Sequence, residues 1–180
     1  MSRRVAVFGS SRIDEAHPLY REAYELGRRL AQAGFEVVTG GYEGAMEAVS
    51  RGAREAGGTI HGVTLSLFDP LKPNPWVTAE VRARLLGERL DRFYDLAEAF
   101  VVLPGGTGTL LELAYVWNLA VIQALNHRPI ILFASPWRPV VDFLARHLII
   151  QPDDLRYLTF VETVADAVAC LREFYGESAG

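Results

Sequence analysis

Short apolar runs alternate with stretches of helical periodicity along this chain. An apolar run without polar alternation must be buried on both faces, and a sheet is buried on both faces only where helices cover each side. The alternation therefore predicts an α/β fold, a doubly wound and mainly parallel sheet of about seven strands flanked by helices. Residues 4–8, 36–39, 60–65, 99–103, 130–133 and 159–161 read as strands, and residues 77–83 fit either a strand or a helix start. Helices are expected at residues 18–33, 45–56, 85–96, 139–147 and 163–175, with another running from the glycine-rich stretch near 109 to about 125. Pro18 suits a first helical turn and Gly34 a left-handed stop, while Thr163 and Asp166 have the spacing of a capping box. Three prolines, Pro70, Pro73 and Pro75, make residues 66–77 a loop. At 180 residues, half of them hydrophobic, one domain spanning 1–180 is expected, since a single core serves chains of about 100 to 200 residues.

Open parallel sheets bind ligands at the carboxyl ends of their strands. Three of the loops that follow strands here pair small residues with a helix that starts just beyond: Gly9, Ser10 and Ser11; Gly40 to Gly44; and Pro104 to Thr109. Backbone amides can approach an anion at such a turn, and the helix dipole favours negative charge there. Gly9, Ser10, Gly41, Gly44, Gly105, Gly106, Thr107, Gly108 and Thr109 are accordingly the candidate phosphate-binding residues; the plain alternative is that the glycines merely permit tight turns. No loop contains G-K-[ST], and no G-x-G-x-x-G follows the first strand, which argues against NTP hydrolysis and ordinary NAD chemistry. Glu112 stands three residues after Thr109. It can face whatever binds that turn, or complete a capping box with Thr109, and spacing alone leaves both open.

Composition removes several classes. A net charge of −4 argues against nucleic-acid binding, although Arg82, Arg84, Arg89 and Arg92 read as one basic face. A pyridoxal-phosphate enzyme needs a desolvated lysine, and the only one is Lys72, between prolines in a loop. His17, His61, His127 and His147 lack metal-ligand spacing, and the lone Cys170 suits a helix packing position in a reducing compartment. Trp76, Trp117 and Trp137 suit core or dimer contacts first, and Trp117, on the helix that opens at the glycine loop, is the one to weigh for stacking on a base. No metal, cofactor or membrane span is expected. The opening residues, two arginines and then an apolar run of four, fall short of a signal-peptide core of about 7 to 15 residues, so a cytoplasmic location is expected.

Residues 104–112, Pro-Gly-Gly-Thr-Gly-Thr-Leu-Leu-Glu, match the P-G-G-x-G-T-x-x-E signature of the LOG family, the cytokinin-activating nucleoside 5'-monophosphate phosphoribohydrolases long mislabelled as lysine decarboxylases. The chain also resembles that family in Gly9-Ser10-Ser11, in the G-G-x-x-G-x-M segment from Gly40 to Met46, and in Arg89, fifteen residues before the signature proline. The resemblance implies a Rossmann-like fold, a homodimer, an AMP-like nucleoside monophosphate as substrate, and Arg89 with Glu112 as the catalytic pair. Two departures stand out. Plant-type members carry M-H-x-R-K where this chain has Leu86-Gly87-Glu88-Arg89-Leu90, and the second loop resembles a G-G-Y-x-G-x-M-E branch that includes molybdenum-cofactor carriers. The expected reaction is hydrolysis to free base and ribose 5-phosphate. The alternative is a non-catalytic carrier of a phosphorylated nucleotide or pterin, with a DNA-binding relative a distant third.

Overall fold

The structure, a computed structural model, describes residues 3–176. The first two residues, on which the reading of the leader partly falls, lie outside them. One sheet of seven parallel strands runs β1 (Arg4–Phe8), β2 (Glu36–Thr39), β3 (Ile60–Leu65), β4 (Ala79–Ala83), β5 (Ala99–Val102), β6 (Ile130–Phe133) and β7 (Leu158–Val161) in chain order. Across the sheet the order is β4-β3-β2-β1-β5-β6-β7. The helices are α1 (Pro18–Gln32), α2 (Ala45–Glu55), α3 (Leu86–Leu96), α4 (Thr107–Val121), α5 (Ala134–His147), α6 (Pro152–Leu155) and α7 (Val164–Phe174).

Successive strand residues point to opposite faces, so each apolar run feeds two cores. Val5, Val7, Val37 and Val101 pack with α1, α2 and α7, while Ala6, Phe8, Val38, Phe100 and Val102 pack with α3, α4 and α5. On the first face α1 and α2 touch backbone to backbone: a Cβ on Gly27 would strike the Val49 carbonyl, and one on Gly52 the Tyr24 carbonyl. Strand β1 pairs with β2 on one side and β5 on the other. The chain leaves these neighbours toward opposite faces, which opens a crevice at their carboxyl ends.

Four local expectations change. Within residues 77–83, only Ala79–Ala83 form a strand, β4, parallel to β3, with Val63 opposite Val81. Helix α4 starts inside the glycine stretch and stops at Val121, because Gln123 and then Asn126 and His127 take positive φ. Helix α5 starts earlier than expected, at Ala134, with non-helical angles at Ser135 that mark the kink in Ser-Pro-Trp-Arg-Pro. Helix α6, with a capping box between Gln151 and Asp154, was not anticipated. The capping box of Thr163 and Asp166 forms as its spacing predicts. No helix among the described residues is long and apolar enough to cross a membrane.

Candidate functional site

The loops after β1, β2 and β5 meet at the crevice. The Ala45 amide donates to the Ser10 carbonyl at 2.8 Å, and a Cβ on Gly9 would come 2.8 Å from the Ala45 Cβ and 3.3 Å from that of Leu103. Glycine at position 9 is thus the condition for three strand ends to close on one another. The Ser10 hydroxyl accepts from the Arg12 amide at 3.0 Å and shapes its own turn.

The second loop is braced on every side. Gly41 and Gly44 have φ of +79° and +74°, a region that side chains disfavour. A Cβ on Gly44 would also strike the Ser10 carbonyl. The Gly41 amide donates to Thr39 Oγ1 at 3.1 Å. Tyr42 is buried, and its hydroxyl donates to the Leu65 carbonyl at 3.2 Å and accepts from the Leu65 amide at 2.8 Å. Its ring meets Phe68 edge-on. Tyr42 is therefore committed to the frame, while Glu43 beside it is exposed.

Arg89 and Glu112 meet between these loops. Arg89 lies on α3, is only 8% exposed, and reaches under the second loop. Its Nε donates to the Val63 carbonyl at 2.8 Å, its Nη2 to the Gly40 carbonyl at 3.3 Å, and its Nη1 to Glu112 Oε1 at 3.4 Å. A charge-assisted bond is usually about 2.7 to 2.9 Å long, so the last contact is loose. No other hydrogen bond reaches Glu112 among the described residues, and its side chain is 12% exposed. A carboxylate with little water and one distant cation resists ionisation: burial pushes Glu112 up to about 7, with Arg89 pulling it down. Burial likewise lowers the Arg89 guanidinium, against the pull of Glu112. Glu112 is the sixth residue of α4, so it lies in the second turn and does not cap; Gly106 is the N-cap, with no side chain capping it.

The third loop is the exposed one. Uncapped, the first turn of α4 leaves its amides without intrahelical acceptors. Gly105 is demanded by packing, since a Cβ there would collide with the buried Thr109 side chain. Gly106 and Gly108 are not, for nothing lies within 4 Å of a Cβ built on either, and both are exposed together with Thr107. Nothing in the folded chain needs these two glycines at close range. A ligand approaching the backbone would.

Other expectations fare differently. The four arginines do not share a face: Arg89 is buried, while Arg82 pairs with Asp69 and Arg84 and Arg92 pair with Glu88. Trp117 is buried with its Nε1 donating to the Asp154 carbonyl, so it does not reach the crevice. His61 does pair with a carboxylate, Glu36 at 2.8 Å, across adjacent strands where linear spacing cannot show it. Lys72 is exposed, without the desolvation a Schiff-base lysine needs. Among the described residues no three His, Cys, Asp or Glu gather as a metal site. The sequence reading missed Asn74, which is buried and hydrogen-bonded to the second loop; the signal was an Asn two residues before the Trp76 amide that its side chain accepts from, an Asx turn.

Residues 46–171 match the family model described as possible lysine decarboxylase. The chain is 30% identical over 182 residues to the cytokinin riboside 5'-monophosphate phosphoribohydrolase LOG of Oryza sativa subsp. japonica, covering 97% of this chain and 75% of that protein. It is 31% identical over 158 residues to the cytokinin riboside 5'-monophosphate phosphoribohydrolase of Mycobacterium tuberculosis, covering 82% and 83%. Among solved structures, a structural-genomics target superposes with a TM-score of 0.75 at 30% identity, covering 95% of this chain and 99% of that one. The molybdenum cofactor carrier protein from Chlamydomonas reinhardtii superposes with a TM-score of 0.76 at 24% identity, covering 98% and 99%, a likeness of fold alone.

Proposed function

The chain belongs to the LOG family, described as possible lysine decarboxylases, and from that premise we propose that it hydrolyses the N-glycosidic bond of an AMP-like nucleoside 5'-monophosphate to free base and ribose 5-phosphate. The observation that carries this reading is the largely covered Glu112 carboxyl, held among the described residues by Arg89 alone, beside a helix start whose glycines face empty space.

The 5'-phosphate would bind the amides of Gly106 to Thr109 with the α4 dipole behind them, and Gly9, Ser10, Gly41 and Gly44 would close the other wall. That placement brings the ribose over Glu112. As the C–N bond lengthens, positive charge grows on the ribose; the ionised carboxylate stabilises it and takes a proton from the water whose oxygen bonds to the anomeric carbon. The base departs with the electron pair of the broken bond and is protonated on release. Arg89 orients the carboxylate and offers its remaining donor capacity to the base or phosphate.

The chain would work as a cytoplasmic homodimer. Leu110, Leu111 and Ile122 leave the outer side of α4 apolar and exposed, and Leu85 and Leu86 do the same at the start of α3. A second copy covering them would remove that surface from water.

Incubation with AMP and adenosine, with free adenine measured by chromatography, tests the proposal. A doubly charged phosphate on several amides contributes on the order of 3 kcal/mol, so kcat/KM should fall at least about a hundredfold without it. Equal turnover would mean that the loop does not read phosphate. Failure to release base from any monophosphate would favour the carrier of a phosphorylated nucleotide or pterin instead.

A further inference from the structure

The proline-rich strap from β3 to β4, residues 66–78, contributes one buried polar side chain among the described residues, that of Asn74, 9% exposed. Every hydrogen that Asn74 donates goes to the second glycine loop. Its backbone amide donates to the Gly41 carbonyl at 2.7 Å, and its Nδ2 donates to the Gly41 carbonyl at 3.2 Å and the Tyr42 carbonyl at 2.9 Å. Its Oδ1 accepts from the Trp76 amide at 3.1 Å, which fixes the side chain's rotation so that Nδ2 faces the loop. The next carbonyl upstream, that of Gly40, accepts from Arg89 Nη2. A Cβ at Gly40 would meet the ends of the Arg89 and Met46 side chains, so the loop packs directly on Arg89 there.

Three consecutive carbonyls are thus held from two directions, Gly41 and Tyr42 by Asn74 and Gly40 by Arg89. Adjacent peptide planes share a Cα and turn about its two soft dihedrals, so pinning the Gly41 and Tyr42 carbonyls narrows the orientations open to the Gly40 plane without locking it. We infer that Asn74 is a positioning residue for the Arg89–Glu112 pair: by fixing the Gly41 and Tyr42 carbonyls it restricts the Gly40 carbonyl, and with it the arrangement in which Arg89, anchored at its Nε by the Val63 carbonyl, turns its Nη atoms toward Gly40 and Glu112. This role rests on the hydrolytic reading for its consequence but not for its geometry. The strap lies outside the glycine-loop signature and touches the reacting groups only through the loop.

Arg89, from α3, is the charged group that acts on Glu112, and Tyr42, from the second loop, acts on Arg89 in turn. Loosening Arg89 removes the one influence that favours the ionised carboxylate. The test is a carbon-13 NMR titration of the Glu112 carboxyl in the full chain, comparing the unmodified protein with Asn74→Ala and with Asn74→Ser, both neutral. Thr163→Ala, which removes the cap of α7 away from the crevice, controls for lost stability. The expected result is a Glu112 midpoint raised by roughly half a pH unit or more in the Asn74 variants and unmoved in Thr163→Ala. Turnover of AMP at a pH below the midpoint should then fall about threefold or more in kcat, the factor by which half a unit lowers the ionised fraction, with a smaller change in KM because the third loop carries most of the phosphate contacts. A Glu112 midpoint unchanged in a folded Asn74 variant overturns the inference, and Asn74→Ser provides that measurement if Asn74→Ala does not fold. Should the unmodified protein release no base, the hydrolytic reading fails while the titration still decides the role of Asn74.

Discussion

The second and third glycine loops look alike in sequence and are opposites in structure. In the second, Gly41 and Gly44 are demanded from inside the protein, by positive φ and, at Gly44, by a backbone within collision distance, while Gly40 packs directly on the Arg89 and Met46 side chains. In the third, Gly106 and Gly108 meet nothing, and only Gly105 is required by a neighbour. One loop spends its glycines on being a frame, and the other keeps them as open backbone. Glycine in a motif thus has two physical meanings, and the space around a hypothetical Cβ separates them.

The comparison breaks first at the carboxylate that stands between the loops. Glu112→Gln should lower kcat on AMP on the order of a thousandfold, as expected when a positioned base is lost. The same change should add stability above neutrality. Folding raises the Glu112 midpoint from the ordinary 4.5 to about 7, so the folded state holds its proton more tightly than the unfolded chain. Stability therefore falls as pH rises from about 4.5 to 7 and stays lowered above that. Gln imitates the neutral form, and urea unfolding at pH 8 should find the variant more stable on the order of 2 kcal/mol, with little difference at pH 4. Activity of the unmodified chain should rise with pH through a midpoint near 7, where the carboxylate forms.

Gly44→Ala strikes the frame. Positive φ and the Ser10 carbonyl together should cost about 3 kcal/mol, a fall in Tm of roughly 10 °C by calorimetry. Gly108→Ala probes the open backbone, and here stability should change by less than about 1 kcal/mol, since Ala is the better helix former. Its kcat/KM should nonetheless fall roughly tenfold, because the methyl group occupies the space a phosphate needs. If Gly108→Ala is fully active, the third loop is not receptive; if Gly44→Ala is as stable as its parent, the second is not a frame.

Strand and helix order was legible because periodicity records which face of each element is buried, and the ends of β1, β2, β3 and β6 fall where the apolar runs end. The start of α4 was not legible. Glycines carry helix penalties, so Gly106 to Gly108 read as loop and a capping box at Thr109 stayed open beside a ligand-facing Glu112, whereas the helix begins two residues before Thr109. The burial of Arg89 could not be read either, since α3 carries two arginines, Arg89 and Arg92, and only the Val63 and Gly40 carbonyls, distant in sequence, distinguish one from the other. Asn74 was hidden by its prolines, which announce irregular chain without saying what it covers.

The seam where Gly27 meets Val49 and Gly52 meets Tyr24 reaches well beyond its own faces. Two helices in backbone contact cannot separate by rotating side chains, so α1 and α2 open to solvent together or not at all, and their amides should exchange with deuterium as one slow group. Each of these helices is the continuation of a crevice loop, α1 of the first and α2 of the second. The loops after β1 and β2 are thereby anchored in a single plate, and the loop that opens α4 stands outside it, on the opposite side of the sheet.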